Sequence, residues 1–534
     1  MGAMATAPGD TQRLLRASPG NGTARCGLIR LLLPSAGLLT LLASPAWPAK
    51  WDIVPSLSVG EIYTDNLSLA PDPLEQNSWV TQVIPGISIA AIGAGLRFRV
   101  DYTPELLYYT AEGVDNKVYQ QLNAVGTAEL AKQLLFVDAG AMIGPENISL
   151  QGPLTESNIY TTGNRATVST YFLSPYLRHN FGSAVQAEAR FNYSAWSSDD
   201  TTGTLSDSTA NRGSLRLASG PAYKLLTWNL GYARETVVYE SRQETTTELG
   251  LANARQLITP TLGLLAQAGY EDYESGVVVG PETKGSRWAA GLEWTPTPRT
   301  LLAATGGKRF YGDAYYLDFR HRTRLTTWSV GYSEDISNTR SESLAPNTAK
   351  TVGYLDPLFL SSFPDAEARQ KAVDEIIVQR GLPQSLSAPV NFFSSELFLV
   401  KRWRAAIGLL GSRNVVIAHA YREIREALDS NVVLPDPGDF TASKTITQNG
   451  AGLFWSWRIT PQNIWIVNAG VSRNEFIDTG RVDDLADIRM GLVRQIQPRV
   501  TAAFFYRRQQ DDSTLSTSTF TENSVSAILQ MKFR

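Results

Sequence analysis

The mature part of this sequence contains no cysteine. The single thiol among the 534 residues, Cys26, lies in an N-terminal segment that we expect to be removed on export. A disulfide framework, a cysteine-ligated metal site and cysteine catalysis are therefore excluded. Cys26 follows Arg25 rather than a Leu-x-x pattern, so it is not interpreted as a lipoprotein anchor.

Long apolar runs and charged residues are also scarce. After residue 46 there is no apolar run of the roughly 18 residues that a membrane-spanning helix needs, which excludes a helical membrane protein. Charged residues make up 19% of the chain, below the roughly 25% usual for soluble domains. Aromatic residues make up 10%. This composition is typical of a sheet whose strands alternate between an apolar and a polar face.

Residues 1–46 are expected to be a secretory signal peptide with an N-terminal extension. Arginines precede the apolar stretch LLLPSAGLLTLL, and the small residues ASPA follow it. A basic region, a short apolar core and small residues at a cleavage point define such a signal. We expect cleavage after Ala46 or Ala49, which leaves residues 47–534 as one barrel domain. Removing four Arg and one Asp with residues 1–46 leaves 44 basic and 50 acidic residues, a net charge of −6. Such a mild acidic balance gives no reason to expect a nucleic-acid partner.

The end of the chain alternates between apolar and polar side chains from residue 525 to residue 534. A period of two places the two sets on opposite faces of a β-strand. We interpret this segment as the closing strand of an outer-membrane β-barrel, paired with the first strand around Ser56–Tyr63. Gln530, Lys532 and Arg534 are expected to face the lumen or the periplasmic rim. The side chains expected to face lipid are Val525, Ala527, Leu529, Met531 and Phe533.

The same alternation recurs at 96–102, 185–194, 451–459 and 500–507. A soluble sandwich also alternates, with its apolar face inside. Transmembrane strands need roughly 9–11 residues each, apolar outward and polar inward. The recurrence of the pattern at about this length favours the barrel.

Short connections alternate with long polar loops along the chain. Proline marks several of the short ones, because it fixes φ and cannot pair in a ladder. Short turns on the periplasmic side and long loops outside are the outer-membrane pattern. Ten short turns separate eleven hairpins, so the predicted fold is all-β: a transmembrane antiparallel up-and-down β-barrel of roughly 22 strands, within a range of about 18–24. The turns are predicted near residues 93–95, 132–134, 181–182, 225–227, 259–260, 295–298, 323–325, 401–402, 460–461 and 497–498.

Residues 339–391 form an insert that interrupts this pattern, because the segment is too long for a plain loop. Within the insert, 365–380 is predicted to be a helix, since Ala372, Val373 and Ile376 belong to an apolar set at three- and four-residue spacing. By turn parity the insert emerges on the outer side. It either caps the pore or folds into the lumen, and the sequence does not decide between the two.

Charged residues on the polar faces are expected to point into the lumen, because a charge facing the middle of the bilayer costs roughly 2–4 kcal/mol. They either solvate a water-filled interior, or their arginines form a basic track for an acidic polysaccharide. These lumen-facing charges are Arg97, Arg99, Asp101, Glu188, Arg190, Arg320, Arg322 and Arg458. The aromatic residues expected in the interface girdle are Tyr102, Tyr193, Trp455, Trp457 and Tyr506.

The three histidines, His179, His321 and His419, match no metal-binding motif. Outer-membrane phospholipases and deacylases need a Ser or His with an orienting partner, and the sequence provides no convincing set. We therefore predict that the protein is not an enzyme and has no catalytic residue, metal or cofactor.

Several longer runs carry a family resemblance. At residues 51–110, WDIVPSLSVGEIYTDNLSLAP, SWVTQVIPGISI and GAGLRFRVDYTPELLYY resemble the PEP-CTERM system-associated outer-membrane β-barrel proteins of Gram-negative bacteria. Further matching runs lie at 162–183, 317–335 and 353–383. The resemblance covers essentially the whole mature chain. It implies an outer-membrane location, a gene neighbourhood with exosortase and exopolysaccharide genes, and an association with exopolysaccharide production or export. It carries over no biochemical activity.

The leading hypothesis is an outer-membrane channel for polysaccharide or other polar solutes, gated by the insert. The alternative is a structural or binding protein that holds surface polysaccharide or sorted surface proteins without transport. Expected partners are outer-membrane lipid, lipopolysaccharide and the barrel-assembly machinery. The family resemblance adds exopolysaccharide and periplasmic export components to these expected partners.

Overall fold

The computed structural model describes residues 49–155, 157–199, 206–240, 244–275, 283–338, 340, 355, 356, 359, 369, 372, 373, 397–428, 438–441 and 443–533. The predicted signal peptide and most of the insert lie outside the described residues, so their expected structures stay predictions. Within the described part, no helix is long and apolar enough to cross a membrane.

The described chain forms one sheet in which each strand pairs antiparallel with its neighbours and the last strand returns to the first. Segments β3 and β4 both pair with β2, because Thr103 and Pro104 interrupt a single strand between them. Segments β5 and β6 are the matching halves of the next strand, paired with β4 and β3 respectively. The 24 segments are therefore 22 barrel strands, which confirms the predicted fold class.

The segments have the following bounds: β1 Ala49–Thr64, β2 Ser78–Gly93, β3 Leu96–Tyr102, β4 Glu105–Tyr109, β5 Lys117–Tyr119, β6 Leu122–Ala131, β7 Leu135–Asn147, β8 Arg165–Phe181, β9 Val185–Ser198, β10 Ser208–Ser219, β11 Leu226–Tyr239, β12 Glu244–Thr259, β13 Leu262–Ser275, β14 Lys284–Thr297, β15 Thr300–Arg309, β16 Gly312–Arg322, β17 Thr326–Ser337, β18 Phe398–Leu410, β19 Asn414–Ala427, β20 Thr445–Arg458, β21 Asn463–Phe476, β22 Arg481–Gln497, β23 Val500–Ser513 and β24 Phe520–Lys532. Two short 3-10 helices lie in the connections, at Gly438–Thr441 and Ser516–Ser518.

The closing seam joins β1 to β24. The pairing runs from Ser56 opposite Lys532 to Thr64 opposite Ser524. One residue beyond β24, the Phe533 backbone N–H donates to the Pro55 carbonyl over 2.9 Å. This confirms that the last strand closes on the first around Ser56–Tyr63.

Nine of the ten predicted short turns fall at, or overlap, connections between described strands. The turn predicted at Lys401-Arg402 is wrong, because these residues lie inside β18 and the turn comes at 411–413. Both charged side chains form ion pairs with residues of the neighbouring strand β19 instead of facing solvent in a loop. Lys401 contacts Glu426 over 2.9 Å, and Arg402 contacts Glu423 over 2.7 Å.

The apolar side chains of the strands lie on the outer face of the barrel. In β9, Phe191 and Tyr193 are 47% and 43% exposed, whereas the alternate residues Ser194 and Trp196 are buried inside. A soluble sandwich would bury the apolar set, so the exposed apolar face is the observation that separates the two architectures. It forms the band that a surrounding bilayer covers.

Leu230 and Asn229 of β11 provide a matched test of this two-faced wall. Leu230 is outward and 46% exposed, whereas Asn229 faces inward and accepts a 3.0 Å hydrogen bond from Asn253. Leu230→Lys is expected to lower the free energy of unfolding in phospholipid vesicles by about 2–4 kcal/mol, because it places a charge in hydrocarbon. Asn229→Lys is expected to cost less than half as much. Equal losses in denaturant titrations of the two variants would contradict the assigned faces.

Candidate functional site: the lumen and its constriction

Part of the inner wall is a hydrogen-bonded ladder of amides. Asn253 of β12 donates to Asn229 over 3.0 Å, and Gln267 of β13 donates to Asn253 over 2.6 Å. Arg287 of β14 donates to Gln267 over 3.0 Å. The inward position of each strand therefore carries a polar group bonded to the next strand. Such a wall suits a water-filled interior.

The inner wall also carries buried ion-pair clusters nearer the long-loop end. Glu271 is fully buried and accepts from Arg309 over 2.7 Å and from Arg287 over 3.2 Å. A second buried carboxylate, Glu423, forms ion pairs with Arg425 over 2.6 Å and with Arg402 over 2.7 Å. Buried charges require this kind of pairing. The clusters lock neighbouring strands together.

Glu188 and Arg190 are brought together in the structure. The Arg190 guanidinium contacts Glu188 over 3.2 Å and Asp138 over 2.8 Å. Arg178 contacts the other oxygen of Glu188 over 2.7 Å. The Arg190 guanidinium also lies 3.9 Å from the centre of the Tyr176 ring. Both predicted residues therefore belong to one alternating cluster on the inner face of β7, β8 and β9.

Arg97, Arg99 and Asp101 share a face of β3 with the inward residues of β2, because Asp101 pairs with Ser88 and Arg99 with Ala90. Arg99 contacts Asp101 over 2.7 Å. The Ser88 hydroxyl donates to Asp101 over 2.6 Å. The group therefore consists of alternating charges rather than cations alone.

Arg320, Arg322 and Arg458 lie close to short turns. Arg320 contacts Asp318 over 2.9 Å, and Arg322 pairs in register with the buried Thr327. Arg458 donates to the Ser412 carbonyl over 3.2 Å. Several of the arginines predicted to face the lumen are thus bonded to carboxylates or to turn carbonyls. The basic-track hypothesis remains a prediction.

The predicted girdle residues lie on outward-facing register positions at two heights. Trp455 and Trp457 stack 6.1 Å apart within four residues of a short turn. Tyr102, Tyr193 and Tyr506 lie farther along their strands, the seventh, ninth and seventh residues of β3, β9 and β23. Among the closing-strand residues, Leu529 and Phe533 are exposed on the outside. The others predicted there, Val525, Ala527 and Met531, share the face of Leu529.

A loop that sequence reasoning missed occupies the lumen. Residues 148–155 and 157–164, between β7 and β8, turn inward instead of extending into solvent, and we call this segment the constriction loop. Its apolar side chains Leu150, Leu154, Ile159 and Tyr160 are all buried. Ile159 and Tyr160 pack with inward residues of β1, β2, β4 and β24. Leu150 and Leu154 pack with β18, β20 and β21. An exposed loop rarely carries so many apolar residues, and that was the available signal.

Polar contacts hold the constriction loop against the barrel wall. Asn158 donates to Glu105 of β4 over 2.6 Å. Gln509 of β23 donates to the Leu154 carbonyl over 2.7 Å. Arg481 of β22 donates to the Gln151 carbonyl over 2.8 Å. The loop is therefore bonded to both sides of the seam.

Asp439 anchors the start of the constriction loop from a different connection, the one between β19 and β20. Its carboxylate accepts from the Ser149 hydroxyl, from the Leu150 backbone N–H over 2.6 Å and from the Gln151 side chain over 3.2 Å. Burial raises the pKa of Asp439, although these donors oppose the shift. One side chain thus satisfies three donors of the loop.

The described residues of the insert also contact the inner wall. Leu355 and Val373 are fully buried in a cluster with Val415, Ile417 and Phe454, which point inward from β19 and β20. Seven residues of the insert are described, each of them helical, and the remainder of the predicted helix 365–380 lies outside the described residues. Of the two positions left open by the sequence, these residues occupy the lumen rather than a cap.

Arg340, the first described residue of the insert, is buried between two barrel strands. Its guanidinium donates to the hydroxyl and carbonyl oxygens of Ser194 over 2.7 and 2.9 Å. It also donates to the hydroxyl and carbonyl oxygens of Ser208 over 2.7 and 3.1 Å. Four hydrogen bonds fix the start of the insert to the inward positions of β9 and β10.

A cavity of about 540 Å³ remains between the constriction loop and the wall of β19 to β24. Polar side chains line it, including Asn468, Asp487, Arg489 and Arg507. In the described part of the chain, no group of His, Cys, Asp and Glu side chains is arranged to hold a metal ion.

The fold defines the class: a closed 22-stranded antiparallel transmembrane β-barrel with segments folded into its lumen. Among solved structures, the chain is similar to BauA, the ferric preacinetobactin receptor from Acinetobacter baumannii, at 9% identity and a TM-score of 0.45, covering 90% of this chain and 81% of that one. It is also similar to the ferric-catecholate import receptor Fiu from E. coli K12 (8% identity, TM-score 0.46, 90% and 82% covered). Pseudomonas aeruginosa OccK5 is a further match (10%, TM-score 0.34, 90% and 99%). No family model and no curated protein matches the chain. At these identities, conclusions about function depend on the residues of this chain.

Asp439→Ala is expected to release the constriction loop, because the substitution removes the acceptor of three loop donors. We expect several-fold faster swelling of proteoliposomes in a small neutral sugar than with the unaltered barrel. Asp478→Ala is the matched control, since Asp478 accepts from Ser443 and Lys444 at the neighbouring rim. A barrel whose permeability is unchanged by Asp439→Ala, or raised equally by the control, would show that this anchor does not hold the loop.

Proposed function

We propose that the protein is an outer-membrane conduit for polar solutes that takes part in exopolysaccharide production or export. The observation that carries the proposal is the combination of an apolar outer wall with a polar, hydrogen-bonded inner wall. The first suits a lipid environment, and the second suits the passage of hydroxyl-rich solutes through water. The sequence resemblance supports the exopolysaccharide assignment.

Passage in this proposal is guided diffusion through a lumen that the protein itself narrows. The constriction loop and the described part of the insert both bury apolar side chains against the inner wall. Solute passage therefore requires that one of these segments be displaced. The insert is the larger of the two and is fixed at its start by Arg340, so we assign it the gating role.

The filled lumen also favours a second function, in which the barrel binds or displays surface polysaccharide or sorted surface proteins without transport. In that case the inward segments are permanent structural elements. Conductance separates the two functions, because a permanent filling does not open.

Planar-bilayer recordings of the full barrel and of a variant lacking residues 340–390 provide the test. We expect small or rare openings from the full barrel and large, stable openings from the deletion variant, because it removes the segment packed on Val415, Ile417 and Phe454. Heat-modifiable migration on SDS gels verifies that the variant is folded. If neither barrel opens although both are folded, the channel proposal fails and the structural role remains.

Arg97→Gln combined with Arg99→Gln tests the basic-track hypothesis on the same barrel. The double variant removes two cations near a short turn while keeping polar side chains. We expect the permeation of an acidic oligosaccharide to fall at least threefold more than that of a neutral one of equal length, because a charged pore wall biases which ions pass. Equal changes for both sugars in liposome flux assays would rule out the track.

A further inference from the structure

Two arginines stand directly opposite each other inside the barrel. Arg489 of β22 pairs in register with Arg507 of β23. Both line the cavity beneath the constriction loop, whereas Phe504 on the alternate face of β23 is exposed outside. Directly opposed residues have Cβ atoms about 4.5–5.5 Å apart, and like charges in such pairs destabilise a sheet. An arrangement that costs stability in the wall of a cavity points to a ligand.

Aromatic rings hold both guanidinium groups in place. The Arg489 guanidinium lies 4.1 Å from the centre of the Phe505 ring. Arg507 donates to the Tyr160 hydroxyl over 3.1 Å and lies 5.4 Å from the centre of that ring. Tyr160 belongs to the constriction loop, so the loop completes this part of the cavity. Held guanidinium groups lose less freedom when they bind an anion.

The neighbours of the pair provide further hydrogen-bonding groups. In the sheet, Asn468 pairs with Arg489 and Ser524 pairs with Arg507. An amide, two guanidinium groups and a hydroxyl therefore form one row across four strands. Ile62 and Ile528 add apolar surface to the lining.

Two carboxylates also line the cavity. Glu105 accepts from the amides of Gln82, Gln121 and Asn158 over 2.5, 3.0 and 2.6 Å. Asp487 lies two positions from Arg489 on the same face of β22. The cavity thus presents paired cations on one wall, with Asp487 beside them and Glu105 on another part of the lining as acceptors for hydroxyl groups.

We propose that this cavity binds an acidic saccharide unit, whose carboxylate bridges Arg489 and Arg507. Arginine binds carboxylates through paired N–H donors. The amide and acid side chains meet the sugar hydroxyls, and the rings and isoleucines cover its apolar face, a division usual for small-molecule sites. The inference deepens the proposed function by naming the substrate class, and it rests on that function for the route by which the sugar arrives.

Isothermal titration of the purified full-length barrel in detergent with trigalacturonic acid tests the site. The matched neutral probe is the fully methyl-esterified trisaccharide. We expect the acid to bind at least tenfold more tightly than the ester, with an affinity that falls as salt rises. Arg489→Gln and Arg507→Gln are each expected to weaken binding of the acid about tenfold and to leave binding of the ester nearly unchanged.

Arg473→Gln is the matched control, because Arg473 lies on the outward face of β21 and is bonded to Asp484 over 2.6 Å. It is expected to keep the affinity of the unaltered barrel. Equal affinity for acid and ester overturns the inference, as does unchanged binding of the acid by both cavity variants when SDS gels show them folded. Selective binding without conductance supports the site and counts against the channel. Conductance without selective binding supports the channel and counts against the saccharide site.

Discussion

The constraint on which the whole structure depends is that backbone N–H and C=O groups in hydrocarbon must be paired within the protein. A sheet meets that demand only when its first and last strands meet, so the register between β1 and β24 is the key pairing of the molecule. Closure then fixes an inside and an outside. Each strand must present its apolar side chains to the outside and its polar side chains to the inside. This is the alternation found in β9, β11 and β24.

The interior is not uniform. Near the short turns the inner wall carries ion pairs and amide ladders, and the apolar cluster of Val373 with Val415 and Phe454 also lies at this end. Nearer the long loops lies a packed core with apolar clusters around Leu150 and Tyr160. Buried pairs such as Arg309–Glu271 lie at the level of that core. The barrel therefore combines two environments in one cylinder, a polar hydrogen-bonded inner wall and packed apolar clusters.

Local features of the sequence predicted much of this fold. Period-two alternation and proline-marked turns are properties of adjacent residues, and they gave the fold class, nine turns and the partner of the last strand. The turn at Lys401-Arg402 was wrong because two adjacent charges look the same in a loop and in a sheet that pairs them across strands. The constriction loop was missed for a related reason: its position depends on partners such as Asp439 and Gln509, which lie far away in sequence. The cross-strand arginine pair likewise requires the register of β22 with β23, which no single strand specifies.

The anchors of the constriction loop have a consequence for assembly. Leu150 is 289 residues from Asp439, and Leu154 is 355 residues from Gln509. Contacts of such separation form late, after the intervening chain has been ordered. The loop emerges from β7, early in the chain, and β1, β2 and β4 already offer contacts to Asn158 and Ile159. The partners of Leu150 and Leu154, in contrast, come from Asp439 and from β18 to β23. A fully docked constriction loop therefore indicates that the barrel has closed. The interior is filled completely only when the wall around it is complete.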